Sequence, residues 1–259
     1  MNRVTKVAVA GVAAAACAGT IAYGAVSTVG GRSAISVASS QVDGVVPART
    51  TDQRASRSSY CGRTGPGQAR VENYLQTQTT RFGQVIVDAK QDSVDCVAIK
   101  KFQASVGLAL VTGFADEQTA EVADRLARSA PASCHAAVSA TTVCVDLTHQ
   151  TLWVMRGGSV IFSPAVVRSG AKSLVTPSGD FAVTEKKQVL VSSEYQTPLP
   201  YWERFHADLG IYATETSLYA TADPGSNGCV NMLSSDAQKL YSLTRVGTPV
   251  HVFGHKAGT

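Results

Sequence analysis

At Pro131 the apolar residues of the chain change period, so one kind of secondary structure cannot serve both halves. Before it, Val71, Tyr74 and Leu75 recur at i, i+3 and i+4, and Val97, Ile99, Phe102, Val106 and Leu108 surround a second helical stretch. Asp116 reads as the N-cap of a third helix over Thr119 to Leu126, with Ala120, Ala123 and Ala127 as a close-packing face. After it come short alternating runs. Thr142 to Leu147 and Thr151 to Met155 flank a turn at Thr148-His149-Gln150. Val160 to Phe162, Ala165 to Val167, Asp180 to Thr184, Val189 to Val191 and Pro249 to Phe253 continue the rhythm. Asp236 to Leu243 is the strong helix of this half, with Ser234 or Ser235 as its cap. The expected fold is α+β: a small three-helix domain over 60–130, then a mostly-β, sandwich-like domain over 141–254.

The 259 residues suffice for two such modest domains once the N-terminal stretch is set aside. Within residues 1–31, Arg3 and Lys6 are followed by no charged residue until Arg32, the pattern of an export signal. Ala22-Tyr23-Gly24 places small residues for cleavage after Gly24, and the run is also long enough to anchor in a bilayer uncleaved. Cys17 follows three alanines and lacks the larger aliphatic neighbour of a lipidation site. Residues 32–59, rich in Ser, Ala, Thr and Arg and without an aromatic, read as a disordered linker. The expected location is secreted or cell-surface, and the membrane is a partner only through the N-terminal segment. A net charge of +4 without a run of Lys or Arg gives no nucleic-acid site, and a monomer is expected.

Removing Cys17 with the signal leaves five cysteines in an oxidising compartment: Cys61, Cys96, Cys134, Cys144 and Cys229. Cys61–Cys96 and Cys134–Cys144 are the pairings that stay local. Cys229, in Ser226-Asn227-Gly228-Cys229, remains over. Such a thiol is a nucleophile, an intermolecular link or a buried small hydrophobe. Ser226 and Gly228 let a substrate carbonyl approach the backbone, and the Gly228 and neighbouring amides are candidates for an oxyanion site. No Cys-x-x-Cys or His/Cys spacing points to a metal, and no organic cofactor is implied.

Six segments in order carry a resemblance. They are Val145 to Val154, Thr176-Pro177-Ser178-Gly179-Asp180-Phe181, Leu199-Pro200-Tyr201-Trp202, Leu209-Gly210-Ile211-Tyr212, Ser226 to Met232, and Val246-Gly247-Thr248-Pro249-Val250. Together they resemble the catalytic domain of the L,D-transpeptidases (YkuD), exported cysteine enzymes, over about residues 141–254. Ala98 to Gln103, Val106 to Leu108 and Thr112 to Thr119 resemble the second half of a three-helix peptidoglycan-binding domain. The resemblance implies peptidoglycan as partner, its peptide stems as substrate, and Cys229 as acyl carrier.

It also implies two histidines that this chain lacks, since Tyr212 and Asn227 stand at their positions. A phenol with an ordinary pKa near 10 is a poor base at neutral pH, and an amide does not titrate. His206, six residues before Tyr212, is the candidate substitute base. His135, His149, His251 and His255 rank lower. Thr176, Pro177 and Gly179 read as a turn feeding a strand, Tyr201 and Trp202 as core or stacking residues, and Asn231 as a polar handle beyond the cysteine. The rival expectation is a wall-binding protein that has lost its catalytic histidine.

Overall fold

The computed structural model describes residues 60–136, 139–193, 196–220 and 225–259. The export segment 1–31, with its cleavage point after Gly24 and Cys17, and the linker 32–59 lie outside the described residues. Among the described residues no helix is long and apolar enough to cross a membrane.

The first part is helical: α1 (Gln68–Gln76), the single turn α2 (Thr79–Phe82), α3 (Ser93–Ser105) and α4 (Glu117–Ala127). Asp92 caps α3 through a capping box. Its side chain accepts from Asp95 N–H at 2.8 Å, while Asp95 Oδ2 accepts from Asp92 N–H at 3.1 Å. Asp116 caps α4 by accepting from Thr119 N–H, as the sequence predicts. Val71, Leu75, Ile99, Phe102, Ala120 and Ala123 form the core of this part. Two expected core residues face solvent instead: Val97 is 52% exposed and Ala127 is exposed. Val97 lies off the buried stripe that Ile99 and Phe102 define, whereas Ala127 keeps the spacing of Ala120 and Ala123 but is the last residue of α4, at its exposed end. Glu72, fully buried, accepts from Gln68 Nε2 and from the amides of Asp88 and Ala89, and so fixes the loop in which Ala89 takes φ 59. Gln103 is also tied down, donating to Phe114 O and Thr119 Oγ1 and accepting from Gly113 N–H. The Cys61–Cys96 disulfide is present, as is Cys134–Cys144.

The second part contains β1 (Thr141–Asp146), β2 (Thr151–Arg156), β3 (Ser159–Val166), β4 (Gly179–Ala182), β5 (Glu185–Val191), β6 (Pro198–His206), β7 (Leu209–Ala213), β8 (Val230–Met232), α5 (Ser234–Leu243) and β9 (Pro249–Phe253). One sheet has the order β3-β2-β1-β9-β4, the other β5-β6-β7-β8. Val143, Val145, Leu152, Ile211, Val230, Met232, Leu240 and Val250 fill the space between and under the sheets. The two runs expected at 160–162 and 165–167 are one strand, β3. Pro164 is tolerated within it because β3 is an edge strand, where one missing N–H breaks no ladder.

Strand β6 escapes an alternation reading because Pro198, Pro200, Glu203 and Arg204 interrupt the pattern, and β7 and β8 are too short to show one. Helix α5 begins at Ser234, and its cap position is Leu233, without a side-chain cap bond. Leu233 packs instead against Gly107 of the helical part. A Cβ on Gly107, which has φ +71, would lie 2.6 Å from Leu233 Cδ2.

Arg125 of α4 joins the two parts. Its guanidinium donates to the carbonyls of His149, Gln150 and Val167 at 2.8 to 3.0 Å. Tyr219 donates from its hydroxyl to Val106 O at 2.7 Å, and Leu218 and Val166 enter the helical core.

Candidate active site

A cleft of about 830 Å³ opens on the four-stranded sheet. Its lining includes Cys229, Tyr212, Asn227, Asn231, Trp202 and Arg168. Tyr212 and Asn231 are brought face to face by the parallel β7–β8 register, in which Ile211 pairs with Val230 and Tyr212 with Asn231.

The loop carrying Cys229 is held from behind. Ser226 exchanges backbone hydrogen bonds with Ser169 and Ala171, and its hydroxyl donates to the carbonyl of Cys229. Thr176, 1% exposed, accepts from Gly170 N–H at 2.9 Å and donates to Gly228 O at 2.8 Å. The residue read as part of a turn is therefore a clamp on the Cys229 loop. Gly228 has φ +94, and a Cβ there would lie 2.9 Å from Leu209. With Gly228 C=O turned toward Thr176, the N–H of the same trans peptide, that of Cys229, points away from Thr176.

Cys229 is free and half-buried. Gly210 N–H donates to its Sγ at 3.5 Å. Burial pushes the thiol above its ordinary range, and the Gly210 hydrogen bond opposes that shift. Gly210 is itself fixed by Trp202, whose ring would lie 2.6 Å from a Cβ at that position. Trp202 is 2% exposed and donates from Nε1 to Glu185 at 3.1 Å. It is both core and cleft wall. Tyr201, at φ 56, instead turns toward Tyr241.

The Tyr212 hydroxyl is also pushed up, by burial first and by the nearby Cys229, while Asn231 and Arg168 pull it back. Arg168 is the residue that sequence reasoning missed. It is 7% exposed, donates from Nη2 and Nε to Asn231 Oδ1 at 3.0 and 3.3 Å, and exchanges backbone hydrogen bonds with Asn231. A lone arginine ending the apolar run Ala165-Val166-Val167 was the available signal. Because Arg168 claims Oδ1, the amide orientation of Asn231 is set, and among the described residues its buried Nδ2 makes no completed hydrogen bond and is left for the Tyr212 oxygen.

Among the described residues, none of the five histidines lines this cleft. His206 is exposed, pairs with Leu209 across the β6–β7 turn, and sets its ring at a tilt against Phe181 at 4.9 Å. His149 is hydrogen-bonded to Asp146, His251 pairs with Asp180 and meets the His135 ring at a tilt, and His255 N–H donates to Thr148. Among the described residues no group of three or more His, Cys, Asp or Glu comes together.

A profile of the L,D-transpeptidase catalytic domain (YkuD) matches residues 140–252. The crystal structure of an L,D-transpeptidase from Stackebrandtia nassauensis is 41% identical with a TM-score of 0.72, over 77% of this chain and 96% of that one. An Enterococcus faecium L,D-transpeptidase structure is 29% identical over 44% of this chain and 50% of that one, with a TM-score of 0.40. One from Mycobacterium tuberculosis is 22% identical over 44% and 58%, also with a TM-score of 0.40. No curated protein matches the chain.

Proposed function

Because the chain belongs to the L,D-transpeptidase family, we propose that it is an exported cysteine acyltransferase that acts on peptidoglycan peptide stems in cell-wall cross-linking or remodelling. The observation that carries this reading is a free Cys229 in an open cleft with Gly210 N–H directed at its sulfur. A hydrogen bond to sulfur favours the thiolate, the nucleophilic form.

In the first step the thiol proton goes to solvent, Sγ bonds to the carbonyl carbon of the donor stem, and the C–N bond to the terminal residue breaks. The Cys229 N–H, turned away from Thr176, serves the developing oxyanion. Tyr212 is protonated at neutral pH, so its role is that of a donor: it gives its proton to the departing nitrogen. Arg168 and Asn231 support the resulting phenolate. In the second step an acceptor amine bonds to the thioester carbon, the C–S bond breaks, and the amine's proton returns to Tyr212. This is acyl transfer without ATP. His206, packed against Phe181, has no part in it.

The helical region 60–130 is assigned as a wall-binding module on its resemblance over Ala98 to Thr119. The two disulfides suit a location outside the cell.

A second reading, a wall-binding protein without catalysis, is favoured by the absence of a histidine from the cleft lining among the described residues. Intact-mass measurement after exposure to a carbapenem separates the two. The expected result is an adduct on the wild-type chain that Cys229→Ala lacks. No adduct after hours at about pH 8.5, where an ordinary thiol is half ionised, leaves the non-catalytic reading standing.

A further inference from the structure

A second cleft, of about 400 Å³, opens where the helical part meets the β domain. Its floor is aromatic, with Phe102 between Tyr74 at 5.3 Å and Phe82 at 5.8 Å. One wall is the run Ile161 to Val166 of β3, the outer strand of its sheet. Its rim carries three charges: Arg81 from α2, and Asp236 and Lys239 from the first turns of α5.

Asp236 is the informative group. Among the described residues its carboxylate has no hydrogen-bond or ion-pair partner, although it is largely screened from solvent. A carboxylate left so usually marks either a local cost to stability or a place where a ligand completes the pairing. The groups facing it are Tyr74 and Arg81 on the helical side, Tyr219 beside α5, and Lys239 on α5 itself. Burial lifts it to about 6, so at neutral pH it carries its charge. Arg81 lies over the Phe82 ring at 5.0 Å, and among the described residues it forms no ion pair with a carboxylate.

We propose that this cleft binds a short extended peptide with a free ammonium group, laid along the open edge of β3, its ammonium on Asp236 and its carboxylate at Arg81. Three features select that class. An edge strand offers backbone donors and acceptors on its unpaired side, which an extended peptide matches and a compact ligand does not. Pro164 removes one donor within the run, which limits the match to a few residues and disfavours strand-to-strand pairing with a second copy. The opposed charges of Asp236 and Arg81 suit a zwitterion, and the volume lies in the range of small-molecule pockets rather than of protein interfaces. The site is separate from the cleft around Cys229, with which it shares no lining residue.

The test is titration of the exported chain carrying Cys229→Ala, so that no acyl transfer intervenes, with the tripeptide Ala-Lys-Ala followed by calorimetry and by amide NMR shifts. Binding is expected to move the signals of residues 161–166 and of α5, to weaken by about tenfold or more in Asp236→Asn, and to weaken by a smaller factor in Arg81→Ala. Acetylating both amines of the tripeptide should abolish it. Asp236→Asn loses only an unpaired charge, and a melting temperature at or above that of the parent shows that it is folded. Equal affinity in Asp236→Asn, equal binding of the acetylated peptide, shifts confined to the Cys229 cleft, or no binding at millimolar peptide would each overturn the proposal.

Discussion

Arg168 donates from Nη2 and Nε to the Oδ1 of Asn231, at 3.0 and 3.3 Å, directly behind the Tyr212 hydroxyl and the Cys229 cleft. This places a positive charge of the site on the strand-like segment after β3, in hydrogen-bond contact with the Asn231 amide. Asn231→Asp would replace the amide by a carboxylate that pairs with Arg168, and a new anion near Cys229 disfavours the thiolate. The expected outcome is an upward move of about one pH unit in the Cys229 titration, read from iodoacetamide alkylation rates by intact mass. An unchanged titration would show that Arg168 and Asn231 do not act on the thiol.

Burial already holds the Cys229 thiol above its ordinary range. The alkylation rate should therefore keep climbing past pH 9, where a free cysteine begins to level off. The same shift has a stability consequence. The folded state keeps a proton that the unfolded chain releases, so this thiol's contribution is complete below the unfolded value and declines as pH rises through it. Cys229→Ala should flatten the alkaline fall in melting temperature, while a rate that levels off below pH 8 would contradict a buried neutral thiol.

Asp236 gives the corresponding test at acid pH. Folding lifts it from 3.8 to about 6, so in that window the native state holds a proton that the unfolded chain has lost. Stability from this group is fully retained below 3.8, falls as pH rises to 6, and stays reduced above. Asp236→Asn removes the charged form and should raise the melting temperature at pH 7 by roughly 2–4 °C, about 1 kcal/mol once partial solvent access is allowed for. At pH 3.5 the two proteins should melt together. A gain of equal size at both values would assign the effect to something other than charge.

The α+β order, the three main helices, the outer strands and the tight loop at Cys229 were legible because each has a local cause: the 3.6 and 2.0 periods, Asp116 as a cap, and small residues around Cys229. What escaped is non-local. Glu203 and Lys186 look like surface charges in sequence, yet they meet across strands and the end of α5, so β6 did not read as a buried strand. Arg168 reaches Asn231 across 63 residues, and no local pattern announces such a pairing. His206 sits near Tyr212 in sequence but is turned onto Phe181 at the end of β6. Proximity along a chain says little about which face of a sheet a side chain takes.

The Lys186–Glu203 pair allows a sharper trial of how the β domain is held together. Glu203 is fully buried, and the Thr244 hydroxyl lies 2.8 Å from both its oxygens and donates its one proton to that carboxylate. The Lys186 ammonium stands 3.7 Å from that carboxylate and donates to the carbonyls of Tyr241 and Thr244 at the end of α5, at 2.6 and 2.8 Å. One cation thus serves a buried anion and a helix C-terminus together. Lys186→Met keeps the volume but leaves Glu203 without its counter-charge, and breaking such a pair costs about 3–5 kcal/mol. Burial already raises Glu203, and losing Lys186 raises it further. The variant's stability should therefore drop as pH rises above the unfolded carboxylate range, a slope that chemical denaturation at several pH values would show. Adding Glu203→Gln to Lys186→Met should restore much of the loss and remove the slope, because the buried charge is gone. If the double variant is no more stable than Lys186→Met alone, the contribution of Lys186 lies in capping α5, and the buried carboxylate is not what destabilises the single variant.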